Sequence, residues 1–173
     1  PMLVLRDNLS SVLPLFARPH LQLVASAVMA GNSPGAFRVD EAVQPRSAAL
    51  WDKTHALYLA GAADNAAFNG ALSQFVRDTI AQTVDVLKIY PASSEWNAVI
   101  EALYPYTALH QPQRVFYRLV SLKIPHWRDR LPEGYRVSSI NDQFAALTAL
   151  RNFDRLREEI ESCWNALADF QQR

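Results

Sequence analysis

Cysteine is nearly absent: Cys163 is the only one in 173 residues. That excludes an internal disulfide framework and fits a reducing cytoplasm. An excess of either charge is also missing, because seventeen Lys and Arg balance seventeen Asp and Glu. A general nucleic-acid or anionic-membrane surface would need a basic surplus. No apolar run is long enough to cross a bilayer, and the nearest stretch, 21–30, is too short. No basic segment followed by an apolar core opens the chain, so no signal peptide is expected. Repeats and low-complexity tracts are absent as well. Half of the residues are hydrophobic and 10% are aromatic. A chain of this length can bury roughly 70% of its unfolded surface.

Patterning indicates both helices and strands. Leu5, Leu9, Val12, Leu13 and Phe16 recur at helical spacing and predict a first helix, kinked or ended by Pro14. Pro19 suits the first turn of a second helix with Leu21, Val24 and Val28, and Gly31 is placed to cap it. Residues 36–39 read as a short strand, and 48–60 as one long strand or a hairpin closed by Gly61. Phe68, Leu72, Phe75, Val76 and Ile80 make the clearest amphipathic helix. A strand over 84–90 follows, then a helix capped by Ser94 and facing the core with Trp96, Val99, Ile100 and Leu103. Alternation predicts strands over 114–122 and 135–140. Ser139 or Asn141 can cap a helix with Phe144, Leu147 and Leu150. Leu156, Ile160, Cys163 and Trp164 define a last helical face.

The expected class is α+β, close to α/β, with a mixed, largely antiparallel sheet and packed helices. The expected domains are 1–124, a linker at 125–130 containing Pro125, and 131–173. The strand expected at 135–140 would leave backbone N–H and C=O groups unpaired on both sides unless it joins a sheet. We therefore expect the rest of its sheet to lie outside this chain.

Four segments carry a resemblance: Pro45-Arg46-Ser47-Ala48-Ala49-Leu50-Trp51, Tyr58-Leu59-Ala60-Gly61, Leu131-Pro132-Glu133-Gly134-Tyr135 and Glu161-Ser162-Cys163-Trp164. Together with the element order, they resemble the GNAT superfamily of acyl-CoA-dependent N-acetyltransferases. The likeness is to a two-domain bacterial branch with an added N-terminal α/β domain. It implies that residues 131–173 are the opening strand and first helices of the acetyltransferase domain. It also implies a complete protein that moves acetyl from acetyl-CoA to a small-molecule or peptide amine in the cytoplasm. The family's acyl-CoA loop has Arg or Gln, two residues, Gly, one residue, then Gly or Ala. Its glycines let backbone N–H groups reach the pyrophosphate. Here the residues three positions before the five glycines are Val28, Asn32, Tyr58, Ala67 and Leu131. The loop is absent, so the chain reads as the front part of such an enzyme, truncated before the donor site. No catalytic or cofactor-binding residue is assigned within it, and no cofactor is expected to bind. Phe153 and Trp164 are the residues that the likeness would place along an acceptor cleft.

Other constellations favour structural readings. Gly31-Asn32-Ser33-Pro34-Gly35 matches a nucleophile-elbow pattern, but Pro34 lacks the N–H an oxyanion hole would use, so a helix cap and turn are expected. His20, His55, His110 and His126 show no metal-ligand spacing, and no metal site is expected. Pro1-Met2-Leu3-Val4 loosely resembles the opening of tautomerase-like enzymes, whose terminal amine is a general base. A helix starting at Leu5 would deny that fold its first strand. Cys163 beside Trp164 reads as a buried thiol in acidic surroundings. Trp51, Trp96, Trp127 and Trp164 read as core or interface. The alternative to the acyltransferase reading is a non-catalytic interaction or regulatory domain. Its last strand would offer an edge to another chain or to a second copy as a homodimer.

Overall fold

A computed structural model describes residues 2–104, 109–112, 117, 119–121, 123–137 and 151–164. The chain divides into two compact units, residues 1–111 and 112–173. The linker expected at 125–130 falls within the second unit.

A five-stranded sheet organises the first unit, with strands in sequential order: β1 (Leu3–Leu5), β2 (Ala36–Val39), β3 (Ser47–Trp51), β4 (Ala56–Gly61) and β5 (Lys88–Pro91). The first three pairings are antiparallel and β4–β5 is parallel. The class is α+β with a mixed, largely antiparallel sheet, as expected. The apolar stretch at 48–60 is a hairpin. Its turn is made by Asp52, whose Oδ1 accepts the backbone N–H groups of Thr54, His55 and Ala56 at 2.8–2.9 Å. An aspartate that supplies its own acceptor to the next residues nucleates such a turn without help from the rest of the fold.

Strand alternation sends side chains to two covered faces. Ala49, Trp51, Leu57 and Leu59 meet α2 (Ala66–Asp78), the 3₁₀ turn Ile80–Gln82 and α3 (Asn97–Leu103). Ala48, Leu50 and Ala60 meet Val12 and Phe16 of a 3₁₀ helix (Leu9–Phe16), and Leu21 and Ala25 of α1 (Pro19–Met29). β3 lies between these layers with all five residues buried. Burial on both faces erases the polar-apolar alternation of a half-exposed strand, hence its continuous Ala-Ala-Leu-Trp run. Edge-to-face contacts of Phe16 with Phe37 (5.6 Å) and Phe68 with Trp96 (6.4 Å) tie the helices to each other and to the sheet.

Both expected ends of α1 are present. Pro19 occupies its first turn. At its far end Gly31 takes φ +69°, its N–H donates to Val28 O, and the N–H of Asn32 donates to Ala27 O. That pair of bonds is a Schellman cap, so Gly31-Asn32-Ser33-Pro34-Gly35 is a helix stop and turn.

Several expectations are corrected. Residues 5–16 are not one helix: Leu5 ends β1, Asn8 turns the chain with φ +53°, and Leu9–Phe16 is a 3₁₀ helix. Pro14 lacks an N–H and its ring would clash with the carbonyl four residues back, which disfavours a regular α-helix through it. Val12 and Phe16 still face the core. A first strand therefore exists, and the ground on which a tautomerase-like opening was set aside is removed; Pro1 lies outside the described residues. The strand expected over 84–90 begins only at Lys88. The N–H groups of Thr83 and Val84 both turn back to Ile80 O, extending the preceding helical turn. Ser93, not Ser94, precedes the next helix, which opens as a 3₁₀ turn (Ser94–Trp96) before α3.

In the second unit the described residues of the strand expected at 114–122, Tyr117, Leu119, Val120 and Ser121, are not in a strand, and all are exposed. Tyr135–Val137 are likewise exposed and outside any strand, and 138–140 lie outside the described residues. At these described residues alternation alone does not make a strand. The expected cap at Ser139 or Asn141 and the helix bearing Phe144, Leu147 and Leu150 also lie outside the described residues. The last expected helix is present as α4 (Phe153–Trp164), with Ile160 buried and Leu156 half-buried; Phe153 at its start is buried as well.

Candidate functional site

The polar groups of the first unit concentrate at one edge of the sheet, where β2, β4 and β5 end and β3 begins. Asp40, just after β2, is the hub. Its Oδ1 accepts the backbone N–H groups of Arg46 (3.0 Å) and Ser47 (3.1 Å), and its Oδ2 accepts from Asn65 Nδ2 (2.8 Å). Ser47 is wholly buried, and its hydroxyl donates to Ala62 O (2.7 Å), while the Ala62 N–H donates to Arg46 O (2.7 Å). Asn65 caps α2 by accepting the Phe68 N–H (3.1 Å), and Asn69 Nδ2 donates to Ala63 O (2.7 Å). Trp96 Nε1, at the end of the 3₁₀ turn before α3, donates to Gly61 O (3.3 Å). The result is a clasp joining the β2–β3 turn to the β4–α2 loop.

Gly61 is obligatory within this clasp. It takes φ +76°, and a Cβ there would stand 2.0 Å from Arg46 O. Two of the four segments that carry the GNAT resemblance thus lie side by side. Ser47 pairs with Gly61, Ala48 with Ala60, Ala49 with Leu59 and Leu50 with Tyr58. The side-chain oxygens of Asp40, Ser47 and Asn65 are all engaged by neighbouring groups, so these residues serve architecture and not bond-making chemistry.

Beside the clasp lies an open pocket of about 390 Å³. Pro14, Leu15 and Ala17 form one wall; Arg18, Gly61 and Ser93 complete much of the rest. A second depression of about 460 Å³ runs between α2 and α3, over Gly70, Ser73, Ala98 and Ala102. His20, near the amino end of α1, places Nε2 3.0 Å from Pro91 O at the end of β5. A carbonyl only accepts, so His20 carries a proton on Nε2.

Two titratable groups are shifted by their surroundings. Burial lowers the Arg38 pKa; its guanidinium lies 3.7 Å from the Phe75 ring centroid, and its Nε is buried without a hydrogen-bond partner. Burial raises that of Tyr104, at the end of α3.

The residues singled out as acceptor-lining share α4: Phe153 begins it and Trp164 ends it. The Phe153 ring is buried, with the Arg157 guanidinium 5.9 Å from its centroid. Arg157 also pairs with Asp154 at 3.0 Å. Trp51 and Trp96 belong to one hydrophobic core. His55, His110 and His126 are exposed, and no metal-binding cluster of His, Cys, Asp or Glu occurs among the described residues. Sequence reasoning missed Asp40 and Asn65. The available signal for Asn65 was its place just before an amphipathic helix, the usual N-cap position. For Asp40 only its partners seven and 25 residues on reveal the role.

No protein-family model matches this chain, and no curated protein does.

Proposed function

We propose that this chain is the N-terminal part of a GNAT-like acyltransferase, with an α+β domain preceding the opening segment of the catalytic domain. The complete protein would transfer acetyl from acetyl-CoA to an amine in the cytoplasm. Catalysis of that kind rests on positioning, amine deprotonation and stabilisation of the thioester oxyanion by backbone N–H groups. None of those roles is assigned to a residue here, and this chain alone is expected to be inactive.

The observation that carries the reading is the pairing of Arg46-Ser47-Ala48-Ala49-Leu50 with Tyr58-Leu59-Ala60-Gly61 in the clasp. Within that pairing Gly61 is required by its backbone geometry, and the Ser47 hydroxyl is held by Ala62 O. No helix among the described residues is long and apolar enough to cross a membrane, which is compatible with a cytoplasmic site.

Calorimetric titration of the chain with acetyl-CoA tests the proposal. No heat of binding is expected, because the Arg or Gln-x-x-Gly-x-Gly loop is absent from the sequence. Saturable binding would overturn it. Reading the gene beyond Arg173 gives a second check, with an in-frame glycine loop as the expected result.

A second reading, a non-catalytic interaction domain, is favoured by the exposed apolar residues of the second unit. Tyr117 and Val120 are about nine-tenths exposed, and Tyr135 and Val137 are more than half exposed. Concentration-dependent self-association in sedimentation, with no glycine loop downstream, would favour it over the acyltransferase.

A further inference from the structure

We infer that the pocket between the amino end of α1 and the carboxyl ends of β4 and β5 binds a small oxyanion, a carboxylate or phosphate ester, carried on a short apolar body. β4, α2 and β5 form a parallel strand-helix-strand unit, and Gly61, Ala92 and Ser93 bring the pocket to the carboxyl ends of its strands. The pocket's volume of about 390 Å³ lies within the range of small-molecule sites.

The lining selects the ligand class. Arg18 is the one charged residue among those that line the pocket, and its guanidinium has no ion pair or side-chain hydrogen bond among the described residues. A guanidinium binds carboxylate and phosphate oxygens through parallel N–H donors. Pro14, Leu15, Ala17 and Ala92 supply apolar walls, and Ser93 supplies a hydroxyl. That hydroxyl lies 3.4 Å from the exposed Glu95 carboxylate, a contact long enough to be exchanged for a ligand oxygen. All these residues lie in residues 1–111, so the inference goes beyond the proposed function and does not rest on it.

Amide NMR of the full chain titrated with benzoate, phenyl phosphate, inorganic phosphate and neutral benzamide tests this. Saturable shifts are expected at Arg18, Gly61, Ala92 and Ser93 with benzoate or phenyl phosphate, and none with benzamide. The tighter of the two identifies the headgroup. Arg18→Gln should weaken binding by at least about tenfold, the loss of one charge-assisted contact, while the rest of the spectrum stays in place. If that variant does not fold, Arg18→Lys should retain weakened binding and Ser93→Ala should reduce it. No saturable shift with any probe would overturn the site. So would equal binding of benzamide, equal binding of inorganic phosphate, or unchanged affinity in the folded Arg18 variants.

Discussion

Two glycines with opposite surroundings show how far residue identity is dictated by backbone. Gly61 has φ +76° and Arg46 O at 2.0 Å from any added Cβ, whereas Gly70 sits inside α2 with nothing within 4 Å. Gly61→Ala should combine left-handed strain with a backbone clash and cost about 3 kcal/mol or more. Gly70→Ala should stabilise by about 0.5–1 kcal/mol, because it removes glycine's excess unfolded entropy from a helix. Urea midpoints of the two variants should move in opposite directions, and a Gly61→Ala protein as stable as its parent would refute the clasp's geometry. Asp40→Ala withdraws a carboxylate from two backbone N–H groups and one amide. It should cost about 2–3 kcal/mol, in the range of bonds to charged acceptors. Tyr104 gives a pH signature. Its pKa is raised above the usual 10 by burial, so between that value and the folded one the native state holds a proton that the unfolded state has lost. The Tyr104 contribution is thus complete below pH 10 and declines as pH rises through the folded pKa. Subtracting the stability curve of Tyr104→Phe from that of the parent should reveal a fall confined to this alkaline window.

At the scale of elements, what the sequence revealed depended on whether local forces chose the structure. α1 and α2 were legible because their boundaries are local: Pro19 and Gly31 for one, an amphipathic face for the other. The stretch at 48–60 was legible only as one long strand or a hairpin, and the Asp52 carboxylate, which organises its own turn, is what makes it a hairpin. β1 was not legible, since Leu3 and Leu5 pair with Val39 and Phe37 more than 30 residues away, while Leu5 also fits the helical pattern of Leu9, Val12 and Phe16. Non-local pairing overrode a local period. At 117 and 119–121, the described residues of the alternation at 114–122, no strand forms, so a local period alone was not enough there. The clasp was least legible. Asp40, Ser47, Asn65 and Gly61 are scattered in sequence, and only the antiparallel return of β3 on β2 and of β4 on β3 brings them to one edge. The two residues named from the resemblance, Phe153 and Trp164, fall at the two ends of one helix, and no cleft was derivable from them alone.

At the scale of the whole molecule, the two units differ in how they satisfy hydrophobic burial. Both core clusters that cover the sheet draw only on residues between Met2 and Tyr104. The first unit therefore carries its complete described core within residues 1–111, including Trp96, Phe16, Phe37 and Phe68, each almost fully buried. In the second unit the described buried side chains are Phe153 and Ile160, while Tyr117, Leu119, Val120, Tyr135 and Val137 are exposed. Cooperative stability scales with buried apolar surface, so the first unit should dominate the unfolding transition. A chain ended at Gln111 should keep a single cooperative thermal transition, with a midpoint within about 5 °C of the full chain's, a shift equivalent to about 1 kcal/mol for a domain of this size. Limited proteolysis of the full chain should leave a resistant fragment ending near that residue, because the described residues 109–112, 117 and 119–121 are exposed and outside helix and strand. Loss of the cooperative transition on truncation would show that residues 112–173 complete the first unit's core. The division of the chain at Gln111 would then be one of contact density and not of independent folding.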